Sequence, residues 1–257
     1  MYQVDAFAGQ VFSGNPAAIC PLEAWLPDAQ MQSIAAENNL AETAFFVPNG
    51  GGYKLRWFTP AVEVDLCGHA TLASAYVILN ELTPADRSVS FETKSGVLTV
   101  TREGDLYSMD FPSRPPQECE VYPELVPALG GRPEKVLAAR DYLVIYGSEE
   151  EVRALRPDMA ALMKIDRFAV IATAPGREAD FVSRFFAPAK GVPEDPVTGS
   201  AHCTLIPYWS KRLGKQKLHA FQVSPRGGEL WCEDRGERVT MSGKAVRFFE
   251  GAIFLES

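Results

Sequence analysis

The stretch LRWFTPA at residues 55–61 returns 128 positions later as SRFFAPA at residues 183–189. Arg, Phe, Pro and Ala stand at matching positions in the two copies. Each copy is followed by a turn that contains an Asp and a Gly, DLCGHA at residues 65–70 and DPVTGSA at residues 195–201, which we call the first turn and the second turn. Solenoid units repeat every ~20–50 residues, so this wider spacing indicates two related domains instead.

A long apolar stretch follows each turn, at residues 67–82 and 198–213. A helix that is apolar on every side is buried on every side, and short strands are predicted before and after both helices. The sequence therefore predicts an α+β fold of two pseudo-symmetric domains, each with a sheet or barrel wrapped around a central helix. The Pro-rich residues 112–116 place the boundary, giving an N-terminal domain of residues 1–115 and a C-terminal domain of residues 116–257. A last predicted strand at 252–255 is a candidate to return to the first domain.

The composition excludes several classes of function. The net charge of −8 and a pI of about 5.1 argue against a nucleic-acid or anionic-membrane partner. The N-terminus lacks the pattern of a secretory signal, and no apolar run approaches the ~18 residues of a membrane helix. The chain has 5 cysteines, an odd number without any C-x-x-C pair, which is typical of reduced thiols. We expect a cytoplasmic protein without a disulfide framework or a zinc site.

The two turns are the first candidates for a functional site. Each turn is predicted where a strand leads into a helix. The free backbone N–H groups and the positive end of the helix dipole at such a position favour the binding of an anion. Read singly, each is also explained as a tight turn capped by Asp, Thr or Ser. The duplication favours a site that binds a small carboxylate-bearing molecule. His69 begins its helix, and the dipole there is expected to lower its pKa and keep the imidazole neutral.

Glu42 is a further candidate, because it leads into the apolar strand AFFV at residues 44–47. Burial is expected to raise the pKa of a carboxyl in such a place toward values useful for proton transfer. An exposed Glu at a strand start is the alternative, and the spacing does not decide between the two. Cys67 either carries a thiol activated at the helix start or is a small buried residue, and the second interpretation is favoured.

Four segments together resemble the phenazine-biosynthesis PhzF-like proteins, and their order and the chain length fit that family. The segments are DAF at 5–7 with FSGNPAA at 12–18, NLAETAF at 39–45, RWFTP at 56–60 with CGHAT at 67–71, and EDPVTGSA at 194–201.

This resemblance implies the diaminopimelate-epimerase-like fold, with an active site between the two domains, no cofactor and commonly a homodimer. The founding member isomerises trans-2,3-dihydro-3-hydroxyanthranilate by moving a proton along a conjugated system. The resemblance assigns the acid/base role to Glu42, and gives His69, Asp195 and Ser200 the task of holding and polarising the substrate. The expected catalytic residues are Glu42, His69 and Asp195, the expected substrate-binding residues are Gly68, Ala70, Thr198, Gly199 and Ser200, and no metal is expected.

Two other functions stay open at this point. Amino-acid racemases and epimerases of the related fold use two cysteines, one from each turn. Cys67 fits the first position, but the second turn offers Pro196, Val197 or Thr198, and Cys203 comes too late. The third possibility is a non-catalytic protein that binds small molecules, against which the complete set of candidate residues speaks.

Overall fold

The structure, a computed structural model, describes residues 1–255. Its internal contacts divide the chain into two compact units. The first unit comprises Met1–Asp110 and the chain from Ser242 onward, and the second unit is Phe111–Met241. The boundary that the sequence suggests, after residue 115, stays a prediction. None of the helices within residues 1–255 combines the length and apolar character needed to span a membrane.

The first unit contains nine strands and two α-helices among the described residues, and the second α-helix continues as a π-helical turn, Ile78–Leu82. These elements are β1 (Tyr2–Ala6), β2 (Asn15–Pro21), α1 (Asp28–Asn38), β3 (Glu42–Asn49), β4 (Gly52–Phe58), β5 (Glu63–Val64), α2 (Gly68–Val77), β6 (Ser88–Thr93), β7 (Gly96–Glu103), β8 (Leu106–Pro112) and β17 (Ala245–Glu250).

The second unit carries the remaining strands and helices, together with a short 3₁₀ turn at Pro188–Lys190. These elements are α3 (Leu125–Leu129), β9 (Lys135–Ala138), β10 (Tyr142–Ile145), α4 (Glu149–Ala154), α5 (Met159–Leu162), β11 (Val170–Pro175), β12 (Phe181–Ala187), β13 (Val192–Asp195), α6 (Gly199–Leu213), β14 (Lys217–Gln222), β15 (Gly228–Asp234) and β16 (Arg238–Gly243).

The strand pairings of the two units follow one scheme. In the first unit β2 pairs parallel with β3, β3 antiparallel with β4, and β4 antiparallel with β5 and parallel with β6. In the second unit β10, β11, β12, β13 and β14 repeat these pairings with the same polarity. The duplication seen in the sequence is therefore a duplication of topology, and the predicted α+β class is confirmed.

Each unit has a buried helix after its turn, as predicted. Every residue of α2 except Gly68 and Tyr76 is buried, and α2 packs against β1, β2, β3, β7 and β17. The helix α6 contains Pro207, which has no N–H to donate to the carbonyl of Cys203 four residues earlier. The backbone N–H of Arg114, within the Pro-rich stretch, donates to that carbonyl instead at 2.8 Å.

The end of the chain differs from the prediction. Residues 252–255 form no strand, so the strand predicted there is wrong. The preceding strand β17 pairs antiparallel with β1, which places it in the first unit although it follows the whole second unit in sequence. The pattern of alternating residues identifies such a strand but not its partner, because the pairing joins residues as far apart as Tyr2 and Glu250.

The repeated Arg of the two matching stretches has the same role in both units. The guanidinium of Arg56 donates twice to Glu63, at 2.7 and 2.9 Å, and lies 5.2 Å from the ring of Phe58. Arg184 donates twice to Glu194, also at 2.7 and 2.9 Å, and lies 4.9 Å from the ring of Phe186. Each bidentate pair ties the strand before the turn to the short strand that leads into it.

Candidate active site

The first turn places His69 at the start of a buried helix. Cys67 is the N-cap of α2 with an extended backbone, φ −142° and ψ 110°. The hydroxyl of Thr71 donates to the carbonyl of Cys67 at 2.6 Å and holds the turn from inside the helix. His69, the second helical residue, is therefore fixed in the first turn with its side chain 7% exposed.

Glu42 reaches this histidine from the neighbouring sheet. It is the first residue of β3, and its register partner on the parallel strand β2 is Ala17. Its Oε2 atom lies 3.1 Å from Nε2 of His69, which is ion-pair distance. The same oxygen is buried and accepts no hydrogen bond of good geometry from the described residues. The structure thus brings two of the predicted catalytic residues together and leaves one carboxylate oxygen unsatisfied.

Cys67 completes a cluster of three polar side chains. Its Sγ atom lies 3.6 Å from Nδ1 and 4.0 Å from Nε2 of His69. One ligand atom from each of Glu42, Cys67 and His69 falls within 4.8 Å of the others. A thiolate, an imidazole and a carboxylate are the groups that bind zinc, so these residues could hold such an ion. The ion pair already balances the charges of two of them, and the donor set does not require a metal.

The charge states of the pair reverse the sequence-based expectation. Burial alone raises the pKa of Glu42, but the adjacent His69 outweighs it and lowers the pKa below the ordinary value. Burial alone lowers the pKa of His69, but the Cys67 sulfur and the Glu42 carboxylate together raise it well above the ordinary value. The predictions of a raised Glu42 pKa and a neutral His69 are therefore wrong, because the two residues form an ion pair that no spacing in the sequence reveals.

The thiol of Cys67 is not activated. Burial raises its pKa to about 11, since the thiolate is disfavoured in a site that also holds the Glu42 carboxylate. The interpretation of Cys67 as a small buried residue agrees with its 6% exposure. Its position at the N-cap of α2 corresponds to that of Thr198, the N-cap of α6.

The second turn is built by side-chain hydrogen bonds within the second unit. The backbone N–H of Thr198 donates to Oε1 of the buried Gln222 at 2.9 Å, and Nε2 of Gln222 donates to the carbonyl of Asp195 at 2.8 Å. The Thr198 hydroxyl donates to the Asp195 carboxylate. Gln222 thus holds both ends of the turn, and the predicted residues Asp195, Thr198, Gly199 and Ser200 lie together on it.

Sequence reasoning missed the side chains that support the second turn. Gln222 ends β14, and nothing in its surroundings marks a Gln as functional. Arg140 donates to the hydroxyl of Ser200 at 3.1 Å and pairs with the buried Asp141. Arg140 and Asp141 are consecutive in the sequence, so the dipeptide RD is the signal that could have identified them. An Arg beside an Asp is too common in proteins to indicate a site.

The family model for phenazine biosynthesis-like proteins, PhzC-PhzF, matches residues 4–251. The chain belongs to this family. A relative from Pseudomonas aeruginosa named as an uncharacterized isomerase is 53% identical over 255 residues, which cover 99% of this chain and 98% of that one. A human phenazine biosynthesis-like domain-containing protein is 38% identical over 282 residues, covering 98% of each. The resemblance stated from the four sequence segments is confirmed.

A solved structure supports the family assignment and the fold. The crystal structure of a PhzF-family phenazine biosynthesis protein from Enterococcus faecalis superposes with a TM-score of 0.97 at 50% identity, covering 99% of this chain and 98% of that one. A predicted epimerase from Pseudomonas aeruginosa, 19% identical, superposes with a TM-score of 0.74 over 99% of both chains. The second comparison shows a shared fold alone.

One buried histidine of this family member has no evident part in chemistry. His202, on α6, is fully buried, and its Nδ1 donates to the carbonyl of Thr198 at 2.9 Å. This contact sets the tautomer, since a carbonyl only accepts. It also leaves Nε2 buried, with no hydrogen-bond partner among residues 1–255. Burial lowers the pKa of His202 to about 4 from an ordinary 6.5.

This histidine is expected to make the protein acid-sensitive. The unfolded chain binds the proton at a higher pH than the folded protein does, so stability falls as the pH drops from 6.5 toward 4. We expect the wild type to lose about 3 kcal/mol more than His202→Gln over this interval. Urea denaturation of both proteins at neutral and acidic pH measures the difference. Parallel losses in the two proteins would show that His202 does not titrate as expected.

Proposed function

We propose that this protein is a cofactor-independent isomerase, similar to trans-2,3-dihydro-3-hydroxyanthranilate isomerase, that moves a proton between carbons of a small carboxylate-bearing substrate. The observation that carries the proposal is the buried Glu42 Oε2 atom, which is 3.1 Å from His69 and otherwise unsatisfied at the start of α2. Relatives named as isomerases support the reaction class. A carboxylate whose buried oxygen accepts no hydrogen bond of good geometry is available to a proton of the substrate.

In the proposed reaction Glu42 acts first as base and then as acid. Its carboxylate removes a proton from a carbon next to the conjugated system, so that a C–H bond breaks and an O–H bond forms. The electron pair spreads over the conjugated system and the substrate carboxylate. The protonated Glu42 then returns the proton to a different carbon and regains its charge. Atoms and electrons balance without a cofactor, because one group performs both transfers.

The ion pair suits this sequence of steps. A carboxylate whose pKa is lowered is ionised at neutral pH and ready to accept a proton. When it does so, His69 loses its anionic partner, and the negative charge that develops on the substrate takes its place. The imidazolium therefore stabilises the intermediate without any change in the net charge of the site. We assign a catalytic role to Asp195 as well, which is to hold and polarise the substrate. Substrate binding is assigned to Gly68, Ala70, Thr198, Gly199 and Ser200.

The second candidate is an amino-acid racemase or epimerase that uses Cys67. The contact between Cys67 and His69 favours it, since a cysteine beside a histidine can become a nucleophile or a base. The raised pKa of the thiol and the Thr at the corresponding N-cap count against it. Alkylation of Cys67 that is blocked by an amino acid, with loss of racemisation, would favour this function over the isomerase.

Incubation with trans-2,3-dihydro-3-hydroxyanthranilate in D₂O tests the proposal. We expect the double bonds of the substrate to shift, with solvent deuterium at the carbon that receives the proton, because Glu42 is partly exposed and exchanges its proton with water. Mass spectrometry and NMR locate the label. A substrate that is returned unchanged and unlabelled, here and with other small unsaturated carboxylates, would contradict the proposed function.

A further inference from the structure

The second residue of the central helix is held by a charged side chain in each unit. In the first unit this residue is His69, and its partner is Glu42 at 3.1 Å. In the second unit it is Ser200, and its partner is Arg140, whose Nη2 lies 3.1 Å from the Ser200 Oγ. The partners have opposite charges, so the duplicated position has been adapted to two different tasks.

Arg140 is held in place by its neighbours. Its Nε and Nη2 atoms donate to the two carboxylate oxygens of Asp141, both at 2.9 Å, and Asp141 is only 1% exposed. Its guanidinium lies 4.3 Å from the centre of the Phe168 ring, a cation–π contact. A guanidinium that is fixed by a bidentate carboxylate and an aromatic face has lost most of its freedom before any ligand arrives.

The bond to Ser200 has a defined direction. A guanidinium contains only donors, so the serine oxygen must accept. The two hydrogens of Nη2 are directed at Asp141 and Ser200, while the hydroxyl hydrogen of Ser200 is not used in this contact. The start of the 15-residue helix α6 adds a positive dipole end beside it. Ser200 is thereby prepared to donate to a group that accepts.

We propose that Arg140 is a positioning residue that fixes the Ser200 hydroxyl as a hydrogen-bond donor. This end of α6 then favours a carboxylate, whose two oxygens both accept charge-assisted hydrogen bonds, over an amide, whose carbonyl is a weaker acceptor and whose NH₂ group only donates, and over an ammonium, which has no acceptor. This inference rests on the proposed function, since it names the substrate group that Ser200 reads. Asp141 balances the charge of Arg140, so the effect arises from the orientation of the hydroxyl rather than from net charge.

A double-mutant cycle with two matched probes tests the inference. The probes are 3-hydroxyanthranilate and its carboxamide, and calorimetry measures their binding to wild type, Arg140→Gln, Ser200→Ala and the double variant. We expect Arg140→Gln to weaken binding of the carboxylate about tenfold and to remove most of its advantage over the carboxamide. In the Ser200→Ala background the same change is expected to have less than about a twofold effect, because the hydroxyl that it positions is gone.

Two further variants separate this role from others. Lys135→Gln removes one positive charge from an exposed ion pair of the same unit and is expected to leave binding unchanged. Arg140→Lys keeps the charge but has one nitrogen, so it cannot serve Asp141 and Ser200 as the guanidinium does, and an intermediate loss is expected. Thermal melting tests whether Arg140→Gln folds. If it does not, Arg140→Lys replaces it in the double-mutant cycle.

Two results with the variants would overturn the inference: Arg140→Gln weakens carboxylate binding equally with and without the Ser200 hydroxyl, or Lys135→Gln weakens it as much as Arg140→Gln does. Two results with the wild type would also overturn it: equal binding of the two probes, or no binding of either probe. Failure of the proposed function has a different signature. Coupled binding of the carboxylate without any proton transfer would contradict the isomerase and leave the role of Arg140 intact. Isomerase activity with no coupling between Arg140 and Ser200 would support the proposed function and contradict the role of Arg140.

Discussion

Replacement of Glu42 by glutamine is expected to lower the rate of isomerisation about a thousandfold, within the range found for the loss of a general acid/base group. The amide keeps the size of the side chain but cannot accept the substrate proton at neutral pH. The rate of deuterium incorporation measures the effect on proton removal directly. Glu37→Gln is the matched control, because Glu37 is an exposed carboxylate on α1, close in sequence and outside the cluster, and it is expected to keep full activity.

The same variant has a signature in the charge of His69. Without the carboxylate, the pKa of His69 is expected to fall, because only the Cys67 sulfur is left to oppose the lowering effect of burial. NMR titration can follow this change, because the chain has only 3 histidines. Full activity of Glu42→Gln would exclude Glu42 as the acid/base group. Lost activity with an unchanged His69 pKa would mean that the two residues do not form the pair described here.

The ion pair also sets a pH window for stability. Because the pKa of Glu42 is lowered, its contribution is complete above the ordinary value of 4.5 and disappears as the pH falls through the lower value. Because the pKa of His69 is raised, its contribution is complete below 6.5 and disappears as the pH rises through the higher value. The pair therefore stabilises the fold most between these two ordinary values, and the paired state persists into neutral pH.

The sequence predicted the fold well because the duplication constrains it. A repeated RxFxPA stretch, a repeated turn and two apolar helices identify equivalent elements, and the structure repeats the strand pairings accordingly. Local patterns missed short elements in both units. These are β5 and β13, which lead into the two turns, and α3 and β9, and their 2 to 5 residues are too few to show a period.

The pKa values of Glu42 and His69 could not be predicted from the sequence. Glu42 and His69 are distant in sequence and meet because β3 and α2 pack against each other. Considered separately, the carboxyl in an apolar strand suggests a raised pKa, and the histidine at a helix start suggests a lowered one. Their contact reverses both, since the opposite charge at 3.1 Å, together with Cys67 beside them, outweighs burial. Pairwise contacts of this kind require coordinates.

Replacement of Arg184 by methionine is expected to lower the free energy of unfolding by about 4 kcal/mol, because it strands a buried partner. Arg184 and Glu194 have side chains only 9% and 15% exposed. The guanidinium also donates to the carbonyls of Val152 and Leu155, at 3.2 and 2.9 Å. Methionine fills the space but satisfies none of these acceptors. Urea denaturation measures the loss as a lower midpoint at unchanged slope.

The duplicated Arg56 is the matched control for this prediction. Its partner Glu63 also pairs with Lys94 at 2.8 Å, so Arg56→Met leaves that carboxylate with a cation, and a smaller cost of about 1–2 kcal/mol is expected. Glu194 is followed by Asp195 on β13, so the Arg184 variant is also expected to bind 3-hydroxyanthranilate more weakly, because the second turn loses its anchor. Equal destabilisation by the two substitutions would show that burial and the added carbonyl contacts do not distinguish these pairs. The duplicated arginines would then contribute through the features they share, the bidentate carboxylate and the aromatic ring beside each guanidinium.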